Sequence, residues 1–117
     1  MWGGDNLHGG LEVRDPIYAS RILVDPYSAR ILVSVSKKAK SVQQISEECS
    51  IPIAVCYRRV RELEKAGYIK CVGRALTREG KRVSLYKTHL CKADIKFENG
   101  VWRAVIIFED GAMFRLP

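Results

Sequence analysis

At 117 residues and 13.2 kDa the chain has the length of one domain, which excludes a multidomain enzyme. Its 47% hydrophobic and 28% charged residues are those of an ordinary globular protein and exclude global disorder and low complexity. Twenty Lys and Arg against thirteen Asp and Glu give a formal charge of +7 and a pI near 9.4, which favours a polyanionic partner such as nucleic acid.

Residues 1–15 read as a mobile tail. The first ten hold four glycines and lack the basic start and apolar stretch of a secretory signal. The longest apolar run, Ala104 to Phe108, is far short of the roughly 18 to 20 residues that span a bilayer, so a cytoplasmic protein with no membrane partner is expected. Cys49, Cys56, Cys71 and Cys91 show no Cys-x-x-Cys spacing and are expected to be reduced.

A short helix is expected over 16–24, before a longer one. Asp25-Pro26 reads as an N-cap followed by proline at the first helical position, and Tyr27, Ile31, Leu32 and Val35 form an apolar stripe that fades at Lys37-Lys38. Ser41 with Gln44 three residues on has the spacing of a capping box, opening a short helix with Val42, Ile45 and Cys49 on its inner face. Ser50-Ile51-Pro52 breaks it. A third helix of this group runs from about 52 to 66 and stops at Gly67. Cys56, Val60 and Leu63 share one face, supported by Ile53, while Ala54, Arg58, Arg61 and Lys65 lie opposite with Tyr57 at their flank.

Strand character returns at 68–72 and 83–86, on either side of the polar stretch 77–82, so two strands and a basic tip form a wing. A β-meander follows, over 93–98, 101–109 and 112–116, with Asn99-Gly100 and Asp110-Gly111 expected to make type I′ turns. In its middle strand Trp102, Ala104, Ile106 and Phe108 face one way and Val101, Val105 and Ile107 the other. Both faces therefore want cover, one from the helices and one from a second subunit. Residues 57–92 hold eleven basic and three acidic side chains, an excess of eight, leaving −1 on the remainder.

Three helices and a two-stranded wing make a winged helix-turn-helix. The segments DPYSARIL (25–32), SVQQISEECSIPI (41–53) and RELEKAGYI (61–69) resemble archaeal winged-helix transcriptional regulators related to the ArsR and MarR groups. The resemblance covers roughly residues 25–90. It implies a homodimer that binds double-stranded DNA at a near-palindromic site, with Ile45, Cys49, Ile51, Cys56, Val60 and Leu63 in the core and the helix near Pro52 as recognition helix. The expected fold is thus α+β: a winged helix-turn-helix over 16–92 and an antiparallel meander over 93–117 that extends the same domain and pairs subunits.

On this reading Ala54, Val55, Tyr57, Arg58 and Arg61 face the major groove, where small Ala54 permits close approach and either arginine can pair bidentately with guanine, and Lys65 on the same helix is a further DNA-binding residue. Val55 suits a thymine methyl and Tyr57 a phosphate. Gln43 and Gln44 suit phosphates at the start of the preceding helix. Arg74, Arg78, Lys81 and Arg82 bring the wing to the backbone or minor groove. No phosphate loop, His-Glu-x-x-His, Gly-x-Ser-x-Gly or paired-carboxylate arrangement appears, and no cofactor or catalytic role is assigned. Two other functions compete. One is a metal- or thiol-responsive repressor, in which His89 and Cys91, two apart on one side of a strand, contribute two ligands and a partner chain or Cys71 supplies more. The other is a protein-interaction module that uses the wing fold and the meander.

Overall fold

The computed structural model describes residues 16–116; the expected tail, 1–15, lies outside them. Two of its helices begin where the sequence offers a side-chain cap. Helix α1 (Pro16–Val24) leads into α2 (Pro26–Ser34), whose N-cap Asp25 accepts the Ser28 N–H at 3.0 Å. Helix α3 (Val42–Cys49) carries a complete capping box: Ser41 Oγ accepts from Gln44 N–H at 3.2 Å while Gln44 Oε1 accepts from Ser41 N–H at 2.9 Å. Ser50 turns the chain in the left-handed region, at φ 54°, and α4 (Ile53–Lys65) starts with Pro52 as its N-cap.

Helix α4 ends in a Schellman motif. Tyr68 N–H donates to Leu63 C=O and Gly67 N–H to Glu64 C=O, both at 2.9 Å, with Gly67 at φ 85°. The left-handed residue after the helix favours glycine, and the turn drives Tyr68 into the core, fully buried.

The wing is longer than expected. Strands β1 (Ile69–Leu76) and β2 (Arg82–Thr88) pair antiparallel, with a bulge between Cys71 and Gly73, so Arg74 lies within a strand and not at the tip. Lys40 adds a single antiparallel bridge to Tyr86, with N–H···O distances of 3.0 and 2.8 Å, and ties the α2–α3 linker to the wing. Thr88 secures the end of α2: its Oγ1 donates to Leu32 C=O at 2.7 Å and its N–H to Val35 C=O at 3.0 Å.

The second sheet has the order β3-β4-β5, formed by Leu90–Glu98, Val101–Phe108 and Met113–Leu116. Asn99 and Gly100 both have positive φ (52° and 79°), as a type I′ turn requires. The second hairpin departs from expectation, because only Gly111 is left-handed. Gly111 N–H donates to Phe108 C=O and Phe108 N–H to Ala112 C=O, so the loop takes one residue more and ends in a glycine bulge. Asp110 instead spends its carboxylate on Ala112 N–H at 3.0 Å, a local turn bond that competes with the tight hairpin.

One core runs through the molecule. Ile31, Val35, Ile45, Ile51, Cys56, Val60 and Leu63 from the helices meet Tyr68, Ile69, Ala104, Ile106, Phe108 and Leu116 from the strands, and α1 lays Ala19, Ile22 and Leu23 into the same cluster. Two expected core positions are corrected. Ile53 is 46% exposed at the start of α4, whereas Ile51, with its N–H bonded to Ser46 C=O in the interhelical turn, is buried as expected. Cys49 is only half-buried, because it ends α3 beside Arg30, whose Nη1 donates to the Cys49 carbonyl at 2.7 Å.

The two faces of the second sheet also differ from expectation. Ala104, Ile106 and Phe108 are buried, yet Trp102 on the same face is 44% exposed against Phe97, ring centroids 5.1 Å apart. On the opposite face Val105 and Ile107 lie half-buried beside Asp94, Lys92, Arg115 and Met113, so flanking charges interrupt the apolar strip. Among the described residues no helix is long and apolar enough to cross a membrane.

Candidate nucleic-acid interface

Three elements converge on one side of the molecule: the start of α3, the outer face of α4 and strand β2 of the wing. They enclose a cleft of about 230 Å³ lined by Ser41, Val42, Gln43, Tyr57, Arg82, Val83, Ser84 and Tyr86. The Lys40–Tyr86 bridge sets β2 at the mouth of α3, and the core face of α4 turns its opposite face outward.

Ala54, Tyr57, Arg58, Arg61 and Lys65 are exposed on α4. Arg74, Arg78, Lys81 and Arg82 are exposed on the wing. None of these seven cations makes an ion pair among the described residues. Val55 is half-buried against the core, which limits how far it projects toward a ligand. Gln43 is exposed at the cleft. Gln44 is also exposed, but its Oε1 is committed to the capping box, leaving only its amide NH2 for a partner.

Arg59 separates from its neighbours. It belongs to the basic segment in sequence, yet its Nε donates to Asp25 Oδ2 at 2.9 Å and its Nη2 to Oδ1 at 3.3 Å, with Glu62 at 3.4 Å from Nη1. Burial raises the Asp25 carboxyl, but the bonds from Arg59 and Ser28 N–H outweigh it and hold the group below the usual aspartate value. Asp25 therefore caps α2 and anchors α4 at once, and Arg59 is a structural cation. Lys40 is another, bound to Glu48 at 2.6 Å and to Ser34 C=O at 2.7 Å. Sequence spacing did not expose the lining roles of Ser84 and Tyr86, since they depend on the long-range pairing of Lys40 with β2.

The metal-ligand candidates do not share a surface. His89 is buried just before β3, stacked on Phe108 at 5.5 Å, with Nε2 at 3.7 Å from Asp110. Cys91 is exposed in the irregular stretch between Leu90 and Lys92, where the strand register shifts. The expected alternation that would align the two is broken by that shift. Among the described residues no group of three or more His, Cys, Asp or Glu is arranged to hold a metal ion.

Burial pushes the Cys56 thiol up to about 11, with Cys49 adding to the shift. A native sample treated with a thiol-specific disulfide reagent at neutral pH should label Cys71 and Cys91 quickly, while Cys56 reacts only on unfolding. Fast labelling of Cys56 would show that the α3–α4 core opens readily.

No curated protein matches the chain. Residues 38–70, which contain α3, the interhelical turn and α4, match a family described as winged helix-turn-helix DNA-binding. That match covers the α3–α4 wall of the cleft and the cationic face of α4, and it supports a DNA-binding winged helix-turn-helix regulator.

Proposed function

We propose that the protein is a sequence-specific transcription regulator that binds double-stranded DNA as a homodimer. The observation that carries this reading is the set of seven exposed, unpaired cations on α4 and the wing, the two elements that flank the cleft. Arg59 and Lys40 are held by carboxylates and serve the fold, whereas these seven have no ion pair among the described residues and stand on the elements that flank the cleft.

Helix α4 enters the major groove with Ala54 at its leading end, and Arg58 and Arg61 read base edges. Tyr57, Gln43 and the free amide of Gln44 bond phosphates at the cleft, Lys65 extends the contact along the backbone, and Val55 supplies a marginal apolar contact. On the wing, Arg78, Lys81 and Arg82 meet the adjacent backbone or minor groove, with Arg74 behind them. Residues 93–117 extend the domain and pair subunits, so that two recognition helices face a near-palindromic site. The kinship with the ArsR and MarR groups rests on the motifs around Asp25, Ser41 and Gly67.

Anisotropy titrations of labelled genomic fragments at rising salt test the reading. With about six phosphates neutralised per binding unit, log affinity should fall against log salt with a slope of roughly −5. Absence of binding to any genomic fragment at low salt would overturn it.

A further inference from the structure

Strand β3 (Leu90–Glu98) is an edge: in the order β3-β4-β5 its outer side pairs with no strand among the described residues. Long edge strands are normally shortened, covered or charged against self-association. This one is charged, but in an alternating pattern. Lys92, Asp94, Lys96 and Glu98 share one exposed face, while Ala93, Ile95 and Phe97 share the other, opposite Ile106, Ala104 and Trp102 of β4. Phe97 is 60% exposed, a large apolar ring left open at the edge.

Two copies of one strand pair antiparallel only in registers that keep side chains on matching faces, so a residue must lie on the two-fold axis. Centred on Asp94, the register sets Asp94 against itself and Lys92 against Lys96. Centred on Lys96, it sets Lys96 against itself and Asp94 against Glu98. Centring on Ala93 or Phe97 matches only part of the charge set. Centred on Ile95, it sets every Lys against an acid: Lys92 opposite Glu98 and Asp94 opposite Lys96, each twice by symmetry. On the other face Ile95 meets its counterpart and Phe97 covers Ala93 of the second copy.

Within the chain, Lys96 faces Arg103 across β4, an unfavourable like-charge pair. An Asp94 from a second copy on the open side of Lys96 offsets it. We propose that two copies join edge to edge along β3 with the two-fold axis at Ile95, merging their C-terminal sheets into one. This rests on the homodimer reading above and specifies its interface.

Sedimentation equilibrium on the full chain tests it. Asp94→Lys and Lys96→Glu each place like charges opposite one another twice, and each should raise the dimer dissociation constant about tenfold or more. The double variant Asp94→Lys/Lys96→Glu should restore it to near the wild-type value. Lys96→Glu also replaces the like-charge pair with Arg103 by an attractive one, so a lost dimer in that variant cannot be attributed to a damaged fold. A dimer unaffected by either single variant, or one that the double variant fails to restore, overturns the β3 register and leaves the homodimer reading intact. A wild-type chain that stays monomeric at every concentration, with and without DNA, overturns both.

Discussion

Arg58→Ala and Arg61→Ala should each weaken binding to the specific site by roughly ten- to a hundredfold, about 1–3 kcal/mol, while changing non-specific binding little. Both side chains stand on the exposed face of α4, a turn or so beyond its start, without an internal partner. Removing them therefore takes nothing from the fold. Lys81→Ala and Arg78→Ala on the wing form the contrast. They should weaken all sequences about equally and reduce the salt slope by about one each, because a phosphate contact carries charge but no sequence.

Arg59→Ala is the internal control. It lies between Arg58 and Arg61 in register, but its guanidinium holds Asp25, so its loss should appear in the unfolding midpoint and not in the specificity ratio. Competition anisotropy against matched and scrambled sites distinguishes these classes. Wild-type discrimination in both the Arg58 and Arg61 variants would remove α4 as the reading helix.

The contrast between Arg58 and Arg59 also marks how far the sequence is legible. Features decided by near neighbours could be read directly: Asp25 before Pro26, Ser41 with Gln44, Gly67 after an amphipathic run, and Asn99-Gly100 between strands. Each sets its backbone through a bond or a φ angle within a few residues. Features decided by distant partners could not. Arg59 is a structural cation because Asp25, 34 residues away, accepts its bonds, and Ser84 and Tyr86 line the cleft because Lys40 bridges to β2. Ile51 is buried as the resemblance implies, whereas Ile53, given to the inner face by helical spacing, is exposed in the first turn of α4. The Asp110-Gly111 hairpin forms, but its turn is not type I′, for a local reason that dipeptide preference overlooks: the Asp110 carboxylate has a competing backbone donor in Ala112.

Phe108→Ala should be among the most damaging single changes to stability, costing about 3–5 kcal/mol out of the roughly 5–15 typical of a domain. Phe108 is fully buried at the point where the winged helix meets the C-terminal sheet. Its ring stacks on Tyr68 at 6.1 Å and on His89 at 5.5 Å, and meets Phe114 edge-on at 5.8 Å. The backbone crosses at the same place, with His89 and Leu90 N–H both donating to Tyr68 C=O and Glu109 N–H to His89 C=O. Tyr68 in turn follows the Schellman end of α4, so the joint links α4 to the sheet that carries β3. If that joint makes one cooperative unit, unfolding of the helices and of the sheet must coincide. Urea titration of a Trp2→Phe background, followed by far-ultraviolet circular dichroism for the helices and by Trp102 fluorescence for the sheet, compares the two directly. In the parent the curves should superimpose, and Phe108→Ala should shift both together by about 1 M or more. A Trp102 transition that moves alone would make the C-terminal sheet a separately folding appendage, and the proposed subunit contact along β3 could then no longer hold two copies of α4 at a fixed spacing.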